Sequence, residues 1–277
     1  MMNKLIIIRG GGDLATGVIQ KFFRAGFRVL VLESALPTAI RRTVALSEAV
    51  YEGIVSVEDM TCRFVKVDAK ISDVLADSTQ YKQEINKCWD CNEIPLIVDP
   101  EGKMIEVLQP DCVIDVIMAK RNLGTNRAMA PVTIGLGPGF TAQVDVDIVV
   151  ETMRGHDLGR LIMKGTALPN TGIPGNLGGK SEERVLYAPQ NGKIKHCCKI
   201  GDIVQQGETI FYVSDIPVHA PFSGLIRGLI KEDLEVKKGT KAGDIDPRTD
   251  VNVYTISDKA RCLGGSALEA FFYVIGN

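Results

Sequence analysis

The chain has 277 residues, 45% of them hydrophobic and 24% charged, with a net charge of −2. That length allows one large or two modest domains, and the charge balance excludes any global attraction to nucleic acid or anionic membrane. No basic run with interleaved aromatics and no apolar run of spanning length occurs, so neither a nucleic-acid nor a membrane role is expected. Seven cysteines, an odd number without framework spacing, fit reduced thiols and a cytoplasmic setting.

Within residues 4–9 (KLIIIR), Leu5 to Ile8 form a continuous apolar run, the pattern of a strand covered on both faces. Leu14, Val18, Phe22 and Phe23 then recur at helical spacing until Gly26, and FRVLVLE reads as a second buried strand. Together they make a βαβ unit. Further strands are expected at 52–57, 63–67, 94–99, 112–118, 132–136 and 146–150, with helices at 36–50 and 70–88. Strand and helix alternating in this way predict an α/β, Rossmann-like, mostly parallel sheet over residues 1–165.

Residues 166–184 are rich in glycine, proline and asparagine and read as a linker or ordered loop. Beyond them lies a repeat. APQNGKI at 188 is matched by APFSGLI at 220, and VQQG at 204 by VKKG at 236, both after the same 32 residues. Short strands between glycine turns predict that residues 185–277 form a small all-β module, with a C-terminal segment, in which the two copies interleave. The module is similar to the barrel-sandwich hybrid of biotinyl and lipoyl domains. Its connecting turn VSDIPVHAP holds no lysine to carry a prosthetic group, so a structural or interface role is expected.

The chemistry-bearing residues gather at glycine loops. Gly10, Gly12 and Ala15, with Gly11 between, have the G-x-G-x-x-A spacing of a dinucleotide fingerprint in its strand–turn–helix context. There Gly10 permits the turn, Gly12 admits a pyrophosphate, Ala15 allows close packing, and the helix start through Thr16 offers free N–H groups. Glu33, closing the second strand, stands where an acid bonds a ribose hydroxyl, which favours NAD over NADP if a nicotinamide cofactor binds. Asp13 is expected to cap the helix through the N–H of Ala15 or Thr16. The alternative is a glycine turn without a ligand.

A second loop, GLGPGF, places Gly135, Gly137, Gly139 and Phe140 after the 132–136 strand, with the Phe140 ring as a flat face for a ligand ring; a plain turn is the alternative. Arg154 and His156, with Arg160, suit an anionic cofactor, the alternative being a polar loop with a solvated histidine; Asp115 and Lys120 fall on the same sheet edge, where a surface ion pair is the favoured reading. Cys88 and Cys91 have redox or half-zinc spacing but no second pair, so incidental thiols are favoured and no metal site is expected. No nucleophile–base arrangement stands out, and no catalytic residue is assigned.

Taken together, IIIRGGGDLATG, GLGPGF, VETMRGHDLGR, TGIPG and the duplicated AP..G.I span nearly the whole chain and resemble the YqeB family, accessory proteins of the selenium-dependent molybdenum hydroxylase system. RG.GDLATG is the most specific of these elements. The family is remotely related to the XdhC-type maturation factors. The resemblance implies a maturation role, a molybdenum-cofactor dinucleotide or its precursor at Gly10–Thr16, and a hydroxylase client or other maturation factors as partners. A homo-oligomer is also expected. The competing readings are an NAD-dependent oxidoreductase, with His156 or Lys120 as acid or base, and an interaction protein that keeps a vestigial Rossmann shell.

Overall fold

A computed structural model of the protein describes residues 4–67 and 70–276. Two compact units emerge. The first gathers residues up to 37, 45–170 and 256 onward; the second gathers 38–44 and 171–255.

The first unit is mixed α/β. Its strands are β1 (Leu5–Arg9), β2 (Arg28–Glu33), β3 (Ile54–Val57), β4 (Met60–Phe64), β5 (Ile94–Val98), β6 (Cys112–Asp115), β7 (Val132–Leu136), β8 (Thr141–Ala142), β9 (Ile148–Val150), β10 (Leu161–Ile162) and β11 (Gly165–Thr166). Its helices are α1 (Asp13–Arg24), α2 (Ala49–Glu52), α3 (Thr79–Asp90), α4 (Lys103–Leu108) and α5 (Asp258–Gly276). Nine strands share one sheet in the order β10-β9-β7-β6-β1-β2-β5-β4-β3. From β4 to β9 every neighbouring pair is parallel, and antiparallel pairs close both edges. The continuous apolar runs of β1 and β2 follow from this central position, where both faces are covered. From β1 the chain moves to β2 and β5 on one side, then returns to β6 on the other. Strand order therefore reverses between β1 and β6, and in open α/β sheets the crevice at such a point is where ligands bind.

Among the described residues, no helix is long and apolar enough to cross a membrane.

Several elements differ from expectation. The 36–50 segment is not one helix: it holds two short 3-10 turns, Arg42–Val44 and Leu46–Glu48, followed by the single turn of α2. Its residues are captured separately. Arg42 Nε donates to Leu229 O at 2.8 Å and Thr43 Oγ1 to Val253 O at 2.5 Å, which ties 38–44 into the second unit. Ser47 N–H instead donates to Gly11 O at 2.8 Å in the first unit. The 70–88 segment divides into a 3-10 turn and α3, which begins where the Asp77 carboxylate accepts the Thr79 N–H at 2.9 Å. The strand expected at 63–67 is β4, shifted towards the amino end and paired as a hairpin with β3 through Glu58, a left-handed residue at φ 52°. The strand expected to reach 118 stops at Asp115, because Met118 (φ 61°) and Lys120 (φ 62°) are left-handed and turn the chain out of the sheet.

Residues 256–277 were expected to close the β module, yet they group with the first unit. The reason is a close helix crossing. A Cβ on Gly17 of α1 would collide with the backbone and side chain of Ala260, and one on Gly264 of α5 with the backbone of Gly17. Two glycines let the backbones of α1 and α5 touch, and the Phe22, Phe27 and Phe271 rings pack tilted or edge-to-face at 5.3–5.8 Å between centroids beside them.

The second unit is all antiparallel. Its strands are β12 (Val185–Tyr187), β13 (Gly192–His196), β14 (Ile203–Val204), β15 (Thr209–Val213), β16 (Ile216–His219), β17 (Gly224–Leu229), β18 (Glu235–Val236) and β19 (Lys241–Asp246). They form two four-stranded sheets, β12-β19-β17-β14 and β16-β15-β13-β18. The 32-residue repeat maps strand onto strand: Gly192, Ile203 and Thr209 open β13, β14 and β15, and Gly224, Glu235 and Lys241 open β17, β18 and β19. The copies exchange partners. β13 pairs with β18 and β17 with β14, so each copy's first strand holds the other copy's second. The strands of both copies feed one apolar core, including Ile194, Phe211, Ile226 and Ile245.

Candidate functional site

The candidate site lies at the carboxyl ends of β1 and β6, and sequence explains its local form. β1 is followed by Gly10, which is left-handed at φ 100° and whose absent Cβ would stand 2.9 Å from Val116 O. Only glycine satisfies both demands. Beneath it lies a buried polar set. Arg9 and Asp115 are 1% and 2% exposed; Arg9 Nη1 donates to Thr125 Oγ1 at 2.5 Å and Thr125 Oγ1 to Asp115 Oδ2 at 2.6 Å. Arg9 Nη2 also donates to Pro100 O at 2.8 Å, and Ile117 N–H to Asp115 Oδ1 at 3.0 Å. Burial pushes the Asp115 carboxyl up, against the Thr125 and Ile117 hydrogen bonds and the Arg9 charge, which favour its ionised form. This set pins the two strand ends together. It is the floor of the site.

The loop above divides into filled and open positions. Gly11 N–H donates to Glu33 Oε2 at 2.8 Å, and a Cβ on Gly11 would press on the Ser47 backbone at 3.1 Å. The other Glu33 oxygen accepts the Ser34 N–H at 2.6 Å, so Glu33 faces the loop and holds it. Thr16 Oγ1 is buried, donates to Gly12 O at 2.9 Å and accepts the Leu46 N–H at 3.0 Å. Thr16 is thus a strut of the loop, not a group offered to a ligand, and the buried Ala15 packs beside it. Gly12 is different: a Cβ there meets nothing within 4 Å. It is the position at which another molecule can approach the backbone.

Asp13 does not cap the helix as expected. Gly12 is the N-cap, with no side-chain capping bond, and Asp13 Oδ1 accepts the N–H of Leu14, its immediate neighbour, at 2.8 Å. A carboxylate in the first turn nevertheless complements the helix dipole. Close by stands a residue that sequence reasoning missed. Lys259, at the start of α5, is half-buried; burial and then Arg154 hold its ammonium below the ordinary lysine range, while Asp13 and Glu151 act in the opposite sense. The crossing of α1 and α5 brings it there. The small-residue pairs at Gly17 and at Gly264–Gly265 were the available signal.

Arg154, expected as an anion ligand, forms a bidentate pair with Asp258, both bonds 2.9 Å. His156 is exposed, and Arg160 pairs with Asp157 at 2.9 Å on the surface.

The second glycine loop is a correction. Phe140 is only 4% exposed and packs with Ala142, Val146, Val149 and Ala167, so its ring is not presented to a ligand. A Cβ on Gly135 would stand 2.6 Å from that ring, one on Gly137 2.6 Å from Thr152 Oγ1, and one on Gly139 2.7 Å from the Arg121 backbone. All three glycines make room for the protein's own atoms.

The cysteine pair also separates. Cys88 faces the core of α3, where burial pushes its thiol up to about 11, and Cys91 is exposed past the helix end.

The fold and the site define an open α/β protein with a glycine turn at the reversal of strand order, carrying a duplicated all-β unit. The chain is 43% identical over 274 residues, 99% of its length, to the Escherichia coli (strain K12) protein described as "Uncharacterized protein YqeB". On that similarity it belongs to the YqeB family, and it spans about half (48%) of that relative's length. No family model matches the chain. Among solved structures it is similar to the product-bound ectoine utilization protein EutE (DoeB) from Ruegeria pomeroyi, at 10% identity over 88% of this chain and 85% of that one, with a TM-score of 0.25. An aspartoacylase family protein from Mesorhizobium loti gives 11% identity over the same shares and a TM-score of 0.25. At that TM-score neither likeness bears on fold or chemistry.

Proposed function

We propose that the first unit is a Rossmann-like domain that binds a phosphate-bearing ligand of the nucleotide or molybdenum-cofactor dinucleotide kind at the start of α1. In this reading the protein serves, in the cytoplasm, as an accessory factor in maturation of a selenium-dependent molybdenum hydroxylase, as the YqeB resemblance implies. The second unit, a barrel-sandwich hybrid of the biotinyl type without its lysine, would dock a client, another maturation factor or a second copy.

The observation that carries the ligand reading is the open approach to Gly12, the N-cap of a twelve-residue helix. The positive dipole end favours an anion there, and the Asp13 carboxylate, which holds the Leu14 N–H at 2.8 Å, would have to share that end with it. Lys259 adds a cation beside it. Left-handed Met118 and Lys120 in the loop after β6 store backbone strain at the same edge, the kind of cost that clusters at ligand sites. With its ring-stacking candidate buried and no assigned acid–base pair, the geometry favours binding and delivery over hydride transfer.

Thermal-shift titration with NAD, NADP, CMP, GMP and molybdopterin dinucleotides tests the ligand. A dinucleotide that stabilises the wild type but not Gly12→Trp supports the site; equal stabilisation of both removes it. Unchanged molybdenum-hydroxylase activity in a strain lacking the gene would remove the maturation role.

A further inference from the structure

The second unit holds a buried charge cluster that the reading above does not use. In β17 and β19, Ile226 and Ile245 pair and enter the core, so the alternate residues Asp244 and Asp246 point to the other face. Arg227 joins them there as the extra residue of a β-bulge between Ile226 and Gly228. Arg184 Nη2 donates to Asp244 Oδ1 at 2.6 Å and its Nη1 to Gly175 O at 3.0 Å. Arg248 grips Asp246 through Nε at 2.9 Å and Nη2 at 2.7 Å.

Arg227 is the exception. It is 8% exposed, yet its guanidinium forms no hydrogen bond among the described residues; its closest carboxylate oxygens, on Asp244 and Asp246, stand 3.9 and 3.8 Å away, and its Nε is buried without a partner. Buried guanidinium groups are ordinarily hydrogen-bonded, because desolvating an unsatisfied cation is costly. Among the buried groups two arginines face two aspartates, and the exposed Arg248 and Lys241 leave the surroundings of the cluster positive. Burial pushes the Asp244 carboxyl up despite Arg184, Lys241 and Arg227.

We propose that Arg227 anchors an anion site in the second unit that takes one singly charged oxyanion, a carboxylate or a phosphodiester group, in bidentate contact with the guanidinium. Asp244 and Asp246, at 3.9 and 3.8 Å from the guanidinium, repel a dianion more strongly than a singly charged group. Planar, two-pronged recognition of an oxyanion is what a fixed guanidinium does best.

The test is a titration of the full chain with formate, with dimethyl phosphate, with inorganic phosphate and with chloride at matched ionic strength. Binding is followed through the arginine Nε–Hε resonances and by calorimetry. Formate or dimethyl phosphate is expected to move the Arg227 resonance saturably, and the stronger of the two names the source. Arg227→Met, which keeps the side-chain bulk, is expected to weaken binding by roughly tenfold or more. Gly12→Trp is expected to leave this response intact, which separates failure here from failure of the nucleotide site. A wild-type Arg227 resonance that none of the probes moves overturns the proposal. So does inorganic phosphate binding more tightly than both singly charged probes, or an unchanged affinity in a folded Arg227→Met.

Discussion

The two glycine loops of the first unit look alike as strings, and the structure sets them apart. In GLGPGF, Gly135 makes room for the Phe140 ring, Gly137 for Thr152 and Gly139 for the Arg121 backbone. In RGGGD, Gly10 and Gly11 likewise admit neighbouring backbone, but Gly12 opens onto nothing within 4 Å. A glycine is a packing residue when its missing Cβ would meet the chain itself. It is a candidate for ligand approach only when that space is empty. On this criterion the first loop has one such position and the second has none.

Substitutions can break this comparison. The largest effect is expected at the helix crossing, where Gly264→Leu drives a side chain into the Gly17 backbone. It should cost about 3 kcal/mol, the upper end of overpacking, read as a lower urea midpoint of the first unit. Gly135→Val should follow at about 2 kcal/mol, partly restored when combined with Phe140→Leu, because the two residues share one space. If Gly135→Val is silent, the second loop is not packed as described.

Thr125→Val removes the hydroxyl between Arg9 and Asp115 and should cost about 1–3 kcal/mol. Its cost should also depend on pH. Burial raises the folded Asp115 above its unfolded value of 3.8, so the stability linked to its proton is present below that value and lost as pH rises through the folded one. Without the Thr125 donor the folded value rises further. The penalty should therefore be greater at neutral pH than below 3.8; a pH-independent penalty would mean that Asp115 is not ionised in the folded protein.

Gly12→Ala is the smallest, within about 1 kcal/mol, since it costs only N-cap preference and meets no neighbour. Equal large losses at Gly12 and Gly135 would erase the distinction between the loops.

The β1-α1-β2 unit was readable because its signals are local: an unbroken apolar run, a helical apolar stripe and a terminating glycine. The repeat was readable for a stronger reason, since the same 32-residue offset sets β13, β14 and β15 onto β17, β18 and β19 and the two copies complete each other's sheets. What escaped was non-local. Gly17 sits inside the most family-specific motif, where it reads as part of a nucleotide loop, yet its role is to admit α5 from the far end of the chain. Lys259 arrives by the same crossing. Phe140 read as a ligand platform because no spacing rule tells whether an aromatic after a turn points outward or into Ala142, Val146 and Val149. Segment 36–50 has helical composition, but side chains and backbone of two different units claim its groups one by one.

The central claim is that the backbone at Gly12 meets a ligand, and the amide resonances of the first turn of α1 report it directly. On titration with the dinucleotide that gives the largest thermal shift, the Gly12 and Asp13 amide signals should move most, while those of Gly135 to Gly139 stay in place. Signals that move at the second loop and stay still at Gly12 would contradict the account.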